Sequence, residues 1–238
     1  MSARDWESDD FGGRFMEPRK FKPKLDDVWY FQKRDTRYGM PGYKWGLIAG
    51  QIVKNLLWHF TSEGDVVLDP MAGGGTTIDV CKEWNRTCLA FDIEPVRDDI
   101  IKNDLLVGLP EGIPKAHLAF LDPPYMNMKV NDAFLDLRDY VGFLRMIVKN
   151  TVPFVRRGGF IALINCDQIM IENRTYPLVG ESYVVLKEQP DLEFLYMISV
   201  PFTMQQFNGT QVVWAKKTKH LLGRNRQMFV FQKKGIER

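Results

Sequence analysis

The chain has 238 residues, 45% of them apolar and 26% charged, with a formal net charge of +2; this suits one large domain, or one domain with a small appendage, built on a proper core. No apolar run approaches the ~20 residues of a membrane helix, and the polar, acidic start of the chain predicts no secretory signal. Cys81, Cys88 and Cys166 lack CxxC spacing and His59, His117 and His220 are scattered, so a cytoplasmic protein with reduced thiols and no metal site is expected.

Residues 1–25 are polar and aperiodic and predict an irregular arm; residues 26–238 read as a single domain. Residues 26–46 mix aromatics (Trp29, Tyr30, Phe31, Tyr38, Tyr43, Trp45) with glycines, which predicts an ordered loop packed on a body. Ile48, Ile52, Val53, Leu56, Leu57 and Phe60 follow helical spacing. Strand Val66–Leu68 leads into helix Thr76–Trp84, and strand Cys88–Phe91 into a short helical piece near Val96–Ile101. Strand Leu118–Leu121 precedes a long helix striped by Leu137, Tyr140, Val141, Leu144, Ile147, Val148 and Val152. Gly158-Gly159 opens strand Phe160–Ile164. Phe194–Val200 and Met228–Gln232 read as two strands joined by a long connection. Alternating strands and helices predict an α/β fold with a mostly parallel sheet, and the final strand pair predicts an antiparallel C-terminal edge.

Charge is unevenly spread. Residues 194–238 hold Lys216, Lys217, Lys219, Arg224, Arg226, Lys233, Lys234 and Arg238 against Glu237, which leaves the rest of the chain net acidic. A basic segment on an acidic body suits a polyanionic partner; a solvated lysine-rich surface explains it equally well.

The first strand ends in Asp69-Pro70-Met71-Ala72-Gly73-Gly74-Gly75-Thr76-Thr77. In open α/β sheets ligands bind at the carboxyl ends of the strands, and glycines there let a backbone approach a ligand. The spacing is not GxGxxG, and a carboxylate beside a helix N-terminus works against pyrophosphate. It suits a zwitterion with a cationic end, and S-adenosylmethionine has one. Thr76 or Thr77 can open the next helix and help satisfy its free N–H groups. Asp92, closing the second strand, is placed for a ribose diol, and Asp104 could accept from an adenine amino group. A glycine turn that only permits close packing is the plain alternative.

The third strand ends in Asp122-Pro123-Pro124-Tyr125. An exocyclic amine of a base is a poor nucleophile, because its lone pair is delocalised into the ring. Asp122 can accept one of its N–H bonds and the Pro123 carbonyl the other, while proline adds no competing donor and stiffens the turn. Tyr125 offers a face for the base, and such stacking is worth about 1–3 kcal/mol. Catalysis of this kind is orientation and electrostatics, and it needs an extruded or single-stranded nucleotide. The alternative is a strand-ending turn with a packing aromatic.

These residues resemble the nucleic-acid amino-methyltransferases, in particular the DNA N6-adenine/N4-cytosine methylase family. Asp69–Thr77 looks like that family's cofactor motif, with Met71 where phenylalanine is usual, and Asp122–Tyr125 matches its catalytic tetrapeptide. Lys44–Asn55 is placed like the segment that closes over the methionine end of the cofactor. The resemblance implies a Rossmann-like class I methyltransferase fold and S-adenosyl-L-methionine as cofactor. It implies Asp69, Pro70, Met71, Ala72, Gly73, Gly75, Thr76, Asp92 and Asp104 as cofactor contacts, and Asp122, Pro123, Pro124 and Tyr125 as catalytic. It implies methyl transfer to a base amine of DNA, with adenine N6 favoured over cytosine N4 because the tetrapeptide begins with aspartate. An RNA (tRNA or rRNA) base amino-methyltransferase is the second reading; a non-catalytic subunit or a nicotinamide oxidoreductase would break the pattern of residues. No large recognition insert separates the two motifs. Discrimination is therefore expected from loops 126–137 and 203–227, or from a partner, as a homodimer or with a separate specificity subunit. In the second loop Lys216, Lys217, Lys219, Arg224 and Arg226 are candidate nucleic-acid contacts, since cations hold phosphates and amides such as Gln205, Gln206, Asn208 and Asn225 read base edges. An edge hairpin protected by lysines is the plain alternative there.

Overall fold

The computed structural model describes residues 21–126, 136–171, 174–202, 207–223 and 225–235. The core is one mixed sheet with helices on both faces. Its strands, in chain order, are β1 (Val66–Asp69), β2 (Thr87–Asp92), β3 (Ile101–Lys102), β4 (Ala116–Leu121), β5 (Val155–Cys166), β8 (Leu192–Ser199) and β9 (Arg226–Lys233). A small hairpin, β6 (Ile169–Ile171) with β7 (Arg174–Tyr176), stands apart. The helices are α1 (Gly50–Phe60), α2 (Thr76–Glu83), α3 (Leu137–Thr151), α4 (Leu178–Lys187) and α5 (Gly209–Thr218).

The sheet order is β3-β2-β1-β4-β5-β9-β8. β1, β2, β3, β4 and β5 run parallel to their neighbours. β9 is the antiparallel strand, and it is slotted between β5 and the edge strand β8 rather than lying outermost. The chain order reverses between β1 and β4, so the crevice at their carboxyl ends is the topological switch point where ligands bind in such sheets. Those two ends carry Asp69 and Asp122.

Side chains alternate between two cores with the period of two that a strand imposes. Val67, Leu118, Phe120, Ala162, Ile164, Met228 and Val230 pack with α1 and with Trp29 and Trp84. Leu68, Ala119, Leu121, Ile161, Leu163, Phe229 and Phe231 pack with α3 and α4. Burial on both faces explains the near-continuous apolar runs that mark these strands in the sequence. Their end points match the expected strands within a few residues. β5 is longer than expected: Gly158 and Gly159 lie inside it, where its pairing with β4 shifts register.

Three expectations change. No helix forms over 96–101. Val96 and Ile101 are exposed while Ile100 is buried, so no apolar face exists to dock a helix. Instead Arg97 cross-links the segment, donating to Asp79 at 2.8 and 3.0 Å and to Asp99 at 2.8 Å. Second, α4 and the β6–β7 hairpin occupy a stretch that carried no assignment. Third, the connection expected as a loop over 203–227 contains α5. That helix buries no residue and so shows no apolar stripe; its sequence mark is a capping box, in which Asn208 and Gln211 exchange side-chain-to-backbone hydrogen bonds of 2.8 and 3.0 Å.

The segment from residue 26 wraps the body as the aromatic composition predicts. Trp29 is buried and its backbone N–H donates to Ser199 O at 2.8 Å. Lys54, 8% exposed, pairs with Glu83 at 3.3 Å and lies 4.8 Å from the Tyr38 ring. Glu83 also accepts from the Tyr38 hydroxyl. Among the described residues no helix is long and apolar enough to cross a membrane.

Candidate active site

A cleft of about 1720 Å³ opens at the switch point. A single small ligand takes ~300–1,000 Å³, so there is space for a cofactor and a second group beside it. Asp69, Met71, Gly73, Thr76, Asp92 and Asp104 line one part; Pro70 and Ala72 also face it. Asp122, Pro123, Pro124 and Tyr125 line the neighbouring part. The two sequence motifs thus share one cavity.

The glycine turn is built to bring backbone to the cleft. Gly73 and Gly74 line the cleft, whereas Gly75, expected as a cofactor contact, does not and packs against Arg97; Gly73 and Gly75 have φ of +50° and +82°, a region open to glycine at little cost. Gly75 is the residue before α2, and no side chain caps that helix start. The Thr76 hydroxyl, buried and lining the cleft, has no hydrogen-bond partner. Gly73 N–H donates to Asp92 Oδ2 at 2.8 Å, and Glu94 N–H donates to Asp92 Oδ1 at 2.9 Å. With Asp92 and Asp69 both at the turn, a pyrophosphate would meet two carboxylates, whereas a ligand with cationic groups and a ribose would be welcomed. Each Asp92 oxygen keeps further lone pairs for a diol. Asp104 accepts from Leu106 N–H at 2.9 Å and also faces the cleft.

Asp69 is 5% exposed, and burial pushes its carboxyl up to about 7, against the lowering effect of bonds from Thr77 and Met71. Asp122 and Asp92 add repulsion in the raising direction. Asp122 keeps some surface at the cleft floor, yet protein atoms surround its carboxyl; burial raises it to about 6, and Arg226 opposes the rise. Tyr125 is half-buried against the α3-side core, and burial drives its phenol well above the usual range. Behind it, Asn165 Nδ2 donates to the Tyr140 hydroxyl at 2.8 Å and to Ser182 Oγ at 3.0 Å. This buried network fixes the wall on which Tyr125 rests.

Several cleft residues escaped the sequence reading. Tyr43 packs over the glycine turn, so close that a Cβ added at Gly73 would lie 3.2 Å from its ring, and burial raises its phenol to about 12. Met40 N–H donates to Gly74 O at 2.7 Å and Gly39 N–H to Asp79 Oδ2 at 2.7 Å, which straps this segment across the turn. The stretch flagged as Lys44–Asn55 divides: residues 44–49 line the cleft, while the rest lies in α1.

The basic cluster also divides. Lys216, Lys217 and Lys219 are exposed on α5 and at its end. Arg224, and most of loop 126–137, lie outside the described residues. Arg226 does not belong to a surface cluster: it is 7% exposed and lines the cleft. The sequence grouped it with its charged neighbours, but it begins β9, and pairing with Cys166 of β5 draws it inward. The connection that carries α5 leaves the sheet at the carboxyl end of β8, the same edge as the cleft, and both its feet, Phe202 and Arg226, line the cavity.

The N6/N4 methyltransferase family model, described as DNA methylase, matches residues 6–103. The Type II methyltransferase M.BamHI of Bacillus amyloliquefaciens is 31% identical over 87 residues. That match covers 35% of this chain and 20% of the relative, so the chain spans about a fifth of the length of the curated relative it matches. Solved structures share the fold. TrmN from Thermus thermophilus has a TM-score of 0.54 at 15% identity, over 79% of this chain and 50% of that one. A class I S-adenosylmethionine-dependent methyltransferase from Listeria monocytogenes has 0.52 at 13%, over 79% and 60%. The cofactor of this fold and family is S-adenosylmethionine. The match over residues 6–103 supports a likeness to the N6/N4 DNA methylases, and the chain carries a class I methyltransferase fold.

Proposed function

We propose that the protein transfers a methyl group from S-adenosylmethionine to an exocyclic amine of a base in DNA, adenine N6 in preference to cytosine N4. The observation that carries this reading is the opening of Asp69 and Asp122, from neighbouring strand ends, into one cleft large enough for two ligands. The glycine turn, the unpartnered Thr76 hydroxyl and Asp92 fit a ligand with a ribose and cationic ends better than a phosphate carrier. S-adenosylmethionine supplies a methyl on a sulfonium. The chain's own residues hold the acceptor: Asp122 and the Pro123 carbonyl accept the two amine N–H bonds, and the Tyr125 face takes the base. Nitrogen–carbon bond formation accompanies carbon–sulfur cleavage, and the amine proton leaves by way of the Asp122 carboxylate to water.

On this reading Lys216, Lys217 and Lys219 hold phosphates, since α5 rises from the cleft edge. The partner is a nucleic acid, read by these elements, by a second copy or by a separate subunit. Transfer of labelled methyl to DNA and to RNA by the wild-type protein tests the reading. Incorporation into DNA is expected. Incorporation into RNA alone would favour the RNA amino-methyltransferase, and incorporation into neither would refute both.

A further inference from the structure

Arg226 is a buried cation inside a cleft whose other lining cations, Lys33, Arg34, Lys44 and Lys102, are exposed. Its guanidinium carbon lies 4.4 Å from the centre of the Phe202 ring, and its Nε–H donates to Val200 O at 3.2 Å. Both contacts anchor the side chain from the opposite foot of the α5 connection, just after β8, while pairing of β9 with Cys166 sets its backbone beside the Asp122–Tyr125 turn. Among the described residues no carboxylate comes within ion-pair distance of it. A buried charge left without a counter-charge is costly, and the acidic group it acts on is Asp122, with the Tyr125 hydroxyl within hydrogen-bonding reach.

We propose that Arg226 is the positioning residue of the amine-holding site: clamped on Phe202 and Val200, its guanidinium supplies the counter-charge of the Asp122 carboxylate and steadies the Tyr125 hydroxyl. The inference rests on the proposed role of Asp122. An amine donates N–H bonds, so Asp122 must stay ionised to accept one; a protonated carboxyl would present a donor of its own. The groups that face Asp122 are Asp69 from β1, Tyr140 from α3, Cys166 from β5, Tyr125 from its own turn and Arg226 from β9, and Asp139 of α3 lines the same cleft. Burial holds the two tyrosines and the thiol neutral by raising them. Asp69 repels a second negative charge. Arg226 alone among these favours the ionised form, and it opposes the burial that lifts Asp122 to about 6. The same guanidinium pins the far end of Tyr125, which fixes where the ring lies in the cleft.

The test is a pH titration of carbon-13-labelled aspartate carboxyls by NMR, with the Asp122 signal assigned by its loss in Asp122→Asn. In Arg226→Gln the Asp122 midpoint should rise by about one pH unit or more, as expected for loss of a nearby opposite charge. Arg226→Lys should stay close to wild type. The acid limb of the methyl-transfer rate should move with the titration, so that raising the pH recovers much of the activity lost in Arg226→Gln at neutral pH. Should that variant not fold, Phe202→Ala, which releases the guanidinium, should move the midpoint in the same direction. An Asp122 midpoint unchanged in whichever of the two variants folds would overturn the proposal. A wild-type protein without amine methylation but with the expected shift would sink the functional reading and leave the pairing standing.

Discussion

Gly73 donates its backbone N–H to the Asp92 carboxylate across 2.8 Å, so the turn after β1 and the end of β2 hold each other in register. Asp92 thereby orders the turn and faces the cleft at once. Charge-assisted hydrogen bonds contribute about 1.5–3 kcal/mol, so Asp92→Ala should weaken S-adenosylmethionine binding by roughly 10- to 100-fold. Asp92→Asn, which can still accept from Gly73, should lose less. Calorimetric titration separates the two, and equal losses would contradict the dual role.

Asp69 and Asp122 sit at about 7 and about 6, both raised first by burial. A bound cation stabilises their ionised forms and lowers both values. Cofactor binding near pH 6.5 should therefore release protons. The release should vanish above about pH 8, where both carboxyls are already ionised. Calorimetry in buffers of different ionisation enthalpy measures it directly, and proton uptake at pH 6.5 would contradict the assignment of a cationic ligand.

Asp122→Ala should abolish methyl transfer, by at least about 1,000-fold on the scale of a lost preorganised contact, while cofactor affinity stays within a few-fold. The two halves of the cleft are lined by separate strand ends, which is why they should separate in this way. Single-turnover rates and equilibrium binding on the same variant check it; wild-type rates would remove the amine clamp.

Reversing Lys216, Lys217 and Lys219 to glutamate should weaken nucleic-acid binding and flatten its salt dependence by about two to three logarithmic units of slope. α5 buries no side chain, so the fold should tolerate the change. An unchanged slope would take α5 out of the interface.

How much of this was legible depends on what each residue advertises. Asp69, Asp92 and Asp122 were readable because each closes an apolar run, and a doubly covered strand leaves that run uninterrupted. The shared cleft follows from strand order, which the sequence implies only through the fold it resembles. Arg226 was misplaced because charge counting sees chain neighbours, whereas its role comes from the register of β9 with β5. α5 was hidden by the lack of a buried face, although Asn208 and Gln211 marked its start. Tyr43 was one aromatic among several, and only the strap from Met40 to Gly74 brings it over the turn.

The most direct test of the central claim is nucleoside mass spectrometry of DNA and RNA after incubation with the protein and labelled S-adenosylmethionine. The account predicts labelled N6-methyladenine in DNA, lost in Asp122→Ala. Label on a ring nitrogen or a carbon of the base, or no labelled nucleoside from either polymer, would contradict it.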